Sequence, residues 1–212
     1  MDEKLLNQIP HIDEIAHRGV YNGVGPKHTD TFLERYSREN KVLPSLEDAI
    51  RATGLKDGMT ISFHHHFRGG DHVVNQVVDK LAEMGFKNLT LAASSLAAVH
   101  APLADHIKNG VITHIETSGL RGELAEQVSR GLMDCPIVFR SHGGRAAAIR
   151  SGELHIDVAF LGAPSCDPYG NANGYSREEG GTIACGSMGY ARTDAEYADK
   201  VVILTNRLVG YP

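Results

Sequence analysis

The chain has 212 residues, 42% of them apolar, 22% charged and 6% aromatic, with a formal net charge of −5 and no tryptophan. Such a length suits one sizeable domain that buries a core without staples, and the acidic balance, with Lys and Arg scattered rather than clustered, excludes a nucleic-acid surface or a base-stacking platform. The cysteines Cys135, Cys166 and Cys185 form no C-x-x-C pair, so zinc-ribbon and thioredoxin readings fail and reduced thiols are expected.

The chain opens with MDEKLLNQIP, which has early acids and no apolar run. It does not read as a secretory leader, and no stretch reaches the length of a membrane span, so a soluble, cytoplasmic protein is expected. Residues 1–57 are mixed and polar, with Pro10, Pro26, Pro44 and a Gly-rich stretch at 19–25; they are predicted to be a lead-in that packs on the core. One helix is expected near Ser45–Ala52, with Ser45 as cap, Glu47 and Asp48 suiting the helix dipole, and Gly54 as its stop.

From residue 58 to 212 the pattern is that of an α/β domain. Residues 59–63 are predicted as a strand. A helix follows, capped by Asp71, with Val73, Val74, Val77, Val78, Leu81 and Met84 on one side. Next come a strand at 88–92, a helix at 97–108 that Pro102 breaks or kinks, a strand at 111–115 and a helix at 123–130. A strand at 136–139, a helix at 145–150, and strands at 156–161 and 200–204 complete the series. The strands are short apolar runs, as expected when helices cover both faces of a sheet. The predicted class is therefore α/β: an open, mainly parallel, doubly wound sheet with helices on both faces. Residues 162–199 are dense in turn formers and read as a long functional loop or insertion, with a small hairpin around Thr182–Ala184.

Ligands of open parallel sheets gather beyond the carboxyl ends of the strands. There the sequence places His64-His65-His66-Phe67-Arg68-Gly69-Gly70, then Ser94 and Ser95, then Glu116 to Gly122, then Arg140 to Arg145, then Gly162 to Asp167. Small residues permit close backbone approach, helix N-termini offer free N–H groups, and Arg68, Arg121, Arg140 or Arg145 suits bidentate carboxylate recognition. A site for a polycarboxylate or phosphate-bearing ligand is the natural reading; ordinary Gly- and Ser-rich turns are the plain alternative. Adjacent histidines in an extended segment point to alternate sides, so His64, His65 and His66 read as a polar loop contacting substrate or backbone, and no metal is expected. Gly23-Val24-Gly25 neither follows a strand nor opens a helix, and no P-loop or nucleophile elbow is present. Cys166 is the best-placed thiol for nucleophilic work, against the commoner role of a bystander.

The runs Ser62 to Asp71, Thr117 to Gly122, Arg140 to Arg145 and Gly162 to Asn171 resemble the signature loops of the citrate lyase alpha chain, and the likeness extends along the whole sequence. That resemblance implies the coenzyme A transferase fold, built from two similar α/β halves. It implies an enzyme of citrate metabolism that exchanges the acetyl thioester of an acyl carrier protein, or of coenzyme A, for a citryl thioester. A mixed anhydride would be the intermediate, and a separate lyase (beta) subunit would cleave the product. The implied partners are citrate, the acyl carrier protein subunit and the lyase subunit in a multi-subunit oligomer, with no tightly bound cofactor. The family's alpha chain is about twice as long, and a catalytic glutamate is expected in its second half; this stretch by itself is expected to supply one wall of the site. The substrate- and thioester-binding residues are then His64, His65, His66, Arg68, Gly69, Gly70, Ser94, Ser118, Gly119, Arg121, Gly143, Gly144 and Arg145. Backbone N–H groups of Gly69, Gly70, Gly143 and Gly144 would stabilise the oxyanion, roughly 3–4 kcal/mol for one good donor. Two alternatives stay open: a non-catalytic sugar-phosphate sensor on the same fold, and a sugar-phosphate isomerase using Glu116 as base.

Overall fold

Strand residues alternate between two buried layers, and that alternation organises everything else. The computed structural model describes residues 39–64, 72–178, 181–184 and 189–212, within a unit that runs Ser37–Pro212. Six strands form one sheet: β1 (Thr60–His64), β2 (Leu89–Ala93), β3 (Ile112–Thr117), β4 (Val138–Phe139), β5 (Val158–Gly162) and, numbered last in chain order, β10 (Lys200–Leu204). Their spatial order is β10-β5-β1-β2-β3-β4, and every pairing is parallel. The chain steps outward from β1 to β4, then crosses back to build the other half. The open, doubly wound parallel sheet expected from sequence is therefore present, and its direction reverses between β1 and β5.

On one face, Ile61, Phe63, Leu89, Leu91, Ile112, Ile115, Val158 and Phe160 form the larger core. Helices α1 (Leu46–Thr53), α2 (Val73–Glu83), α3 (Leu103–Lys108) and α4 (Glu123–Ser129) cover it. Phe63 and Phe160, opposite each other on β1 and β5, stack at 5.5 Å between ring centroids, and α2 contributes Val74, Val77, Val78 and Leu81, all fully buried. Burial of each such side chain is worth about 1.5–3 kcal/mol. A bulge at Thr113, where Leu89 pairs with Ile112 but Thr90 with His114, keeps both Ile112 and Ile115 on this face although they are an odd number of residues apart.

The opposite face is lined by small side chains: Ala92, Ala148, Ala159, Ala191 and Ala198, with Ile149, Leu154, Ile156 and Leu161. Helices α5 (His142–Ser151) and α6 (Gly189–Tyr197) lie there. Between β5 and α6 the long loop folds into two antiparallel hairpins, β6 (Ser165–Cys166) with β7 (Ala172–Asn173) and β8 (Tyr175–Glu178) with β9 (Gly181–Ala184).

Helix α1 starts and stops as its residues dictate. Ser45 accepts from the Asp48 N–H at 3.0 Å, and Gly54 takes φ +72°, the left-handed turn a side chain resists. Its Ile50 is fully buried in the larger core. The predicted 97–108 helix is interrupted near Pro102, as expected: a short 3₁₀ turn, Ala98–His100, precedes α3, which begins at Leu103. Two local expectations change. Helix α5 starts at His142, capped by Ser141, rather than at Arg145. Helix α6 was not expected within 162–199. Asp71, the expected cap of α2, lies outside the described residues. No helix among the described residues is long and apolar enough to cross a membrane.

Candidate functional site

Because every strand of the main sheet is parallel, the exits of β1, β2, β3, β4 and β5 share one edge. The exits are tied to one another through main-chain groups. Ser94, just past β2, donates its N–H to Phe63 O at 3.0 Å and accepts from Ser118 N at 3.3 Å. Leu96 N donates to Gly119 O at 2.7 Å, Arg121 N to Leu96 O at 3.0 Å, and Arg140 N to Thr117 O at 3.0 Å. Thr117 reinforces the β3 exit by donating its hydroxyl to Gly119 O at 3.0 Å. Gly122 then turns the chain into α4 at φ +70°, where a Cβ would stand 2.9 Å from both Cα and Cβ of Ala98; only glycine fits.

His64 ends β1 and is buried. Ser94 is buried beside it, and Ser118 and Gly119 follow β3. The Ser118 Oγ is buried and makes no hydrogen bond, so it is a polar atom at the rim with capacity to spare. Arg121 is exposed at the same rim. Gly143 lies in the first turn of α5, where a helix N–H lacks an intrahelical acceptor, and nothing lies within 4 Å of where its Cβ would be. His64, Ser94, Ser118, Gly119, Arg121 and Gly143 thus occupy one edge of the sheet. His65, His66, Arg68, Gly69 and Gly70 lie outside the described residues.

Two expected roles are corrected by the geometry. Gly144 does not offer a free N–H: it donates to Ser141 Oγ at 3.0 Å as part of the helix cap. Arg145 holds a carboxylate, but one of the chain's own. Its Nη1 donates to Asp194 Oδ1 at 2.6 Å, and its Nη2 to Asp194 Oδ2 at 2.7 Å and to Ala92 O and Ser62 Oγ, each at 3.1 Å. Ser62 in turn donates its hydroxyl to Asp194. With Arg145 4% and Asp194 0% exposed, this is a buried ion pair that clamps α5 and α6 to the centre of the sheet. Sequence reasoning missed Asp194, because it lies in the helix that was not anticipated.

Glu116 is likewise engaged. Arg140 donates to it at 2.8 Å and to Glu153 at 3.0 Å, and the Glu116 hydrogen bond, foremost among the causes, raises the Arg140 pKa further. A carboxylate held in this way is a poor candidate for the base that the isomerase reading requires. Cys166 is buried, and burial first, then the neighbouring Asp167 charge, pushes its thiol pKa up, away from nucleophilic thiolate. Asp167 organises the loop. It accepts from Tyr169 N at 2.9 Å, Asn171 N at 2.9 Å and Asn171 Nδ2 at 2.7 Å, and these bonds, the Asn171 side chain foremost, hold its carboxyl below the ordinary range although burial opposes the shift.

A family model described as citrate lyase, alpha subunit (CitF), matches residues 39–212. The chain is 61% identical over 197 residues to the citrate lyase alpha chain of Haemophilus influenzae, an alignment that takes in 93% of this chain and 38% of that protein. Among solved structures it is similar to the alpha subunit of citrate lyase from Streptococcus mutans in complex with citrate, with TM-score 0.77 and 58% identity over 82% of this chain and 34% of that one. A Pseudomonas malonate decarboxylase hetero-tetramer in complex with malonate matches at TM-score 0.58 and 17% identity, over 82% of this chain and 31% of that one, a likeness of fold alone. The sheet is thus of the coenzyme A transferase-like kind. The chain spans little more than a third of the length of these citrate lyase relatives.

Proposed function

This chain belongs to the citrate lyase alpha subunit family, and from that premise we propose that its sheet edge forms one wall of a transferase site that exchanges an acetyl thioester for a citryl thioester. The observation that carries the reading is the rim itself. Strand exits from β1 to β4 are locked side by side, at the edge where the sheet reverses direction and where parallel sheets take ligands. The relative solved with citrate supports a polycarboxylate as occupant.

In the proposed reaction a citrate carboxylate oxygen attacks the acetyl thioester carbonyl, the C–S bond breaks, and an acetyl–citryl anhydride and a thiolate result. The thiolate then attacks the citryl carbonyl, acetate leaves, and the citryl thioester is formed. Each attack puts negative charge on a carbonyl oxygen. The Gly143 N–H, with those of Gly69 and Gly70, would meet that charge, and Arg121 with Arg68 would hold the spare carboxylates of citrate. His64, His65, His66, Ser94, Ser118 and Gly119 would line the pocket. The catalytic carboxylate belongs to the part of the family's chain that lies beyond this match. Acyl carrier protein, or coenzyme A, is the proposed thioester donor, and the acyl carrier and lyase subunits are the proposed partners in the cytoplasm. Among the described residues no phosphate-specific feature favours a sugar-phosphate sensor.

The test is a thioester-exchange assay with labelled citrate, run on this chain and on a chain extended to the family's full length, with citrate binding measured on both. The proposal expects citrate binding by both and exchange by the longer one, with Arg121→Ala weakening citrate roughly tenfold or more, the loss of one charge-assisted contact. Citrate binding unaffected by Arg121→Ala and Arg68→Ala together would remove the site from this edge.

A further inference from the structure

The amino edge of the sheet, opposite the rim, carries a group of side chains that the proposed reaction leaves unused. His155 and Asp157 stand two apart in the segment leading into β5, so both project to one side, and Asp199 immediately precedes β10. The His155 Nε2 lies 3.0 Å from Asp199 Oδ2 and 3.8 Å from Asp157 Oδ1, and the three donor atoms all lie within 4.8 Å of one another. We infer that His155, Asp157 and Asp199 form a binding site for a divalent transition cation of the zinc class.

The spacing suits such an ion. With metal–ligand bonds of about 2.0–2.1 Å, tetrahedral donors sit about 3.3 Å apart, within the range seen here. The imidazole nitrogen is a borderline donor, and beside two hard carboxylates it suits zinc, cobalt or manganese better than calcium, which takes many oxygens. The cluster is also oriented from behind. Asp157 Oδ2 accepts the Thr60 N–H at 2.7 Å, which leaves Oδ1 turned to His155; a ligating carboxylate fixed through its other oxygen is the usual outer-shell arrangement. The two segments are joined at the cluster by Asp199 N to Ile156 O and Lys200 N to Asp157 O, both at 3.0 Å, and by Asp157 N to Thr60 O at 3.1 Å. The ligands are therefore brought together by the sheet ladder and not by chance meeting of mobile side chains. The His155 and Asp199 side chains are each 58% exposed, so an ion can enter and water can complete its shell. Placed at the far edge from the rim, the cation acts structurally, fastening β10 to β5, and stabilises the fold by mass action.

Calorimetric titration of the metal-stripped 212-residue chain with zinc at pH 7.5 tests this. One zinc per chain and a zinc-dependent rise in Tm are expected. His155→Ala and Asp199→Asn should each weaken binding about tenfold or more and remove the rise, while His65→Ala with His66→Ala leaves both intact. Cobalt(II) provides a reading on the unaltered chain: paramagnetic NMR shifts should centre on residues 155–157 and 199–200. Absence of binding would overturn the assignment, leaving the three side chains as hydrogen-bonded surface neighbours. Binding that survives His155→Ala, that vanishes with His65→Ala and His66→Ala, or cobalt shifts centred elsewhere would equally overturn the assignment.

Discussion

Replacing Asp194 by Asn isolates the buried ion pair. The two Asp194 oxygens take both Nη groups of Arg145, at 2.6 and 2.7 Å, and the Ser62 hydroxyl. Asparagine keeps one acceptor oxygen and sets an NH₂ against donors on the other side, so the guanidinium stays charged and buried with its counter-charge gone and one of its four hydrogen bonds replaced by a donor–donor clash. Removing one member of such a pair costs about 3–5 kcal/mol. With a urea m-value of about 2–3 kcal/mol/M, the unfolding midpoint should fall by roughly 1–2.5 M at unchanged m. The double variant Arg145→Met with Asp194→Leu removes both charges and should recover most of the loss, since a well-packed apolar pair often matches a buried ionic one. The assay is urea denaturation followed by circular dichroism. An Asp194→Asn midpoint within about 0.3 M of wild type, a shift worth under 1 kcal/mol, would refute the structural role. If citrate binding fell at the same time, Arg145 would return to the ligand-holding role it had on sequence grounds.

Other outcomes follow from the same geometry. Asp167 has a depressed folded pKa, so its contribution to stability is complete above its unfolded value near 4 and disappears as pH falls through the lower folded value. The gap in stability between wild type and Asp167→Asn should accordingly be widest at neutral pH and shrink below about pH 4 in a series of denaturation curves. Gly122→Ala sets a Cβ against Ala98 at positive φ and should cost about 1–3 kcal/mol by the same measurement, whereas Gly143→Ala, in open space, should change stability by less than about 0.5 kcal/mol. Cys166, buried with its thiol pKa raised, should be alkylated by iodoacetamide far more slowly in the native chain than in urea, as read by mass spectrometry of its peptide; equal rates would contradict its burial.

The sheet was legible because its signals are local. Short apolar runs such as Leu89–Ala93 and Val158–Gly162 admit only strands covered on both faces, and the stripe of α2 has helical spacing and no competing reading. What escaped depended on contacts distant in sequence. Among its described side chains, helix α6 fully buries just the small Ala191 and the polar Asp194, with Ala195 and Tyr197 half-buried beside them, so no strong apolar stripe marks it. Its Asp194 sits 49 positions from Arg145. With that helix unseen, an arginine in a strand-exit loop read as an arm for a ligand instead of as half of a pair. The cap at Ser141 escaped for a similar reason: Gly143 and Gly144 suggested a loop, yet a serine three positions ahead of Gly144 suffices to start a helix. The rim was legible only as a list of exits; its joining through Ser94, Leu96, Gly119 and Arg121 required the pairing order of the strands.

The main-chain stitching of those exits separates shape from lining. Carbonyl and amide groups keep Ser94, Leu96, Gly119 and Arg121 in register whatever side chains they bear, so the contour of this edge persists while its chemical character is rewritten one residue at a time. An edge organised this way can be relined by exchanging single hydroxyls and guanidinium groups without reshaping it, with Gly122 as the position where that freedom ends.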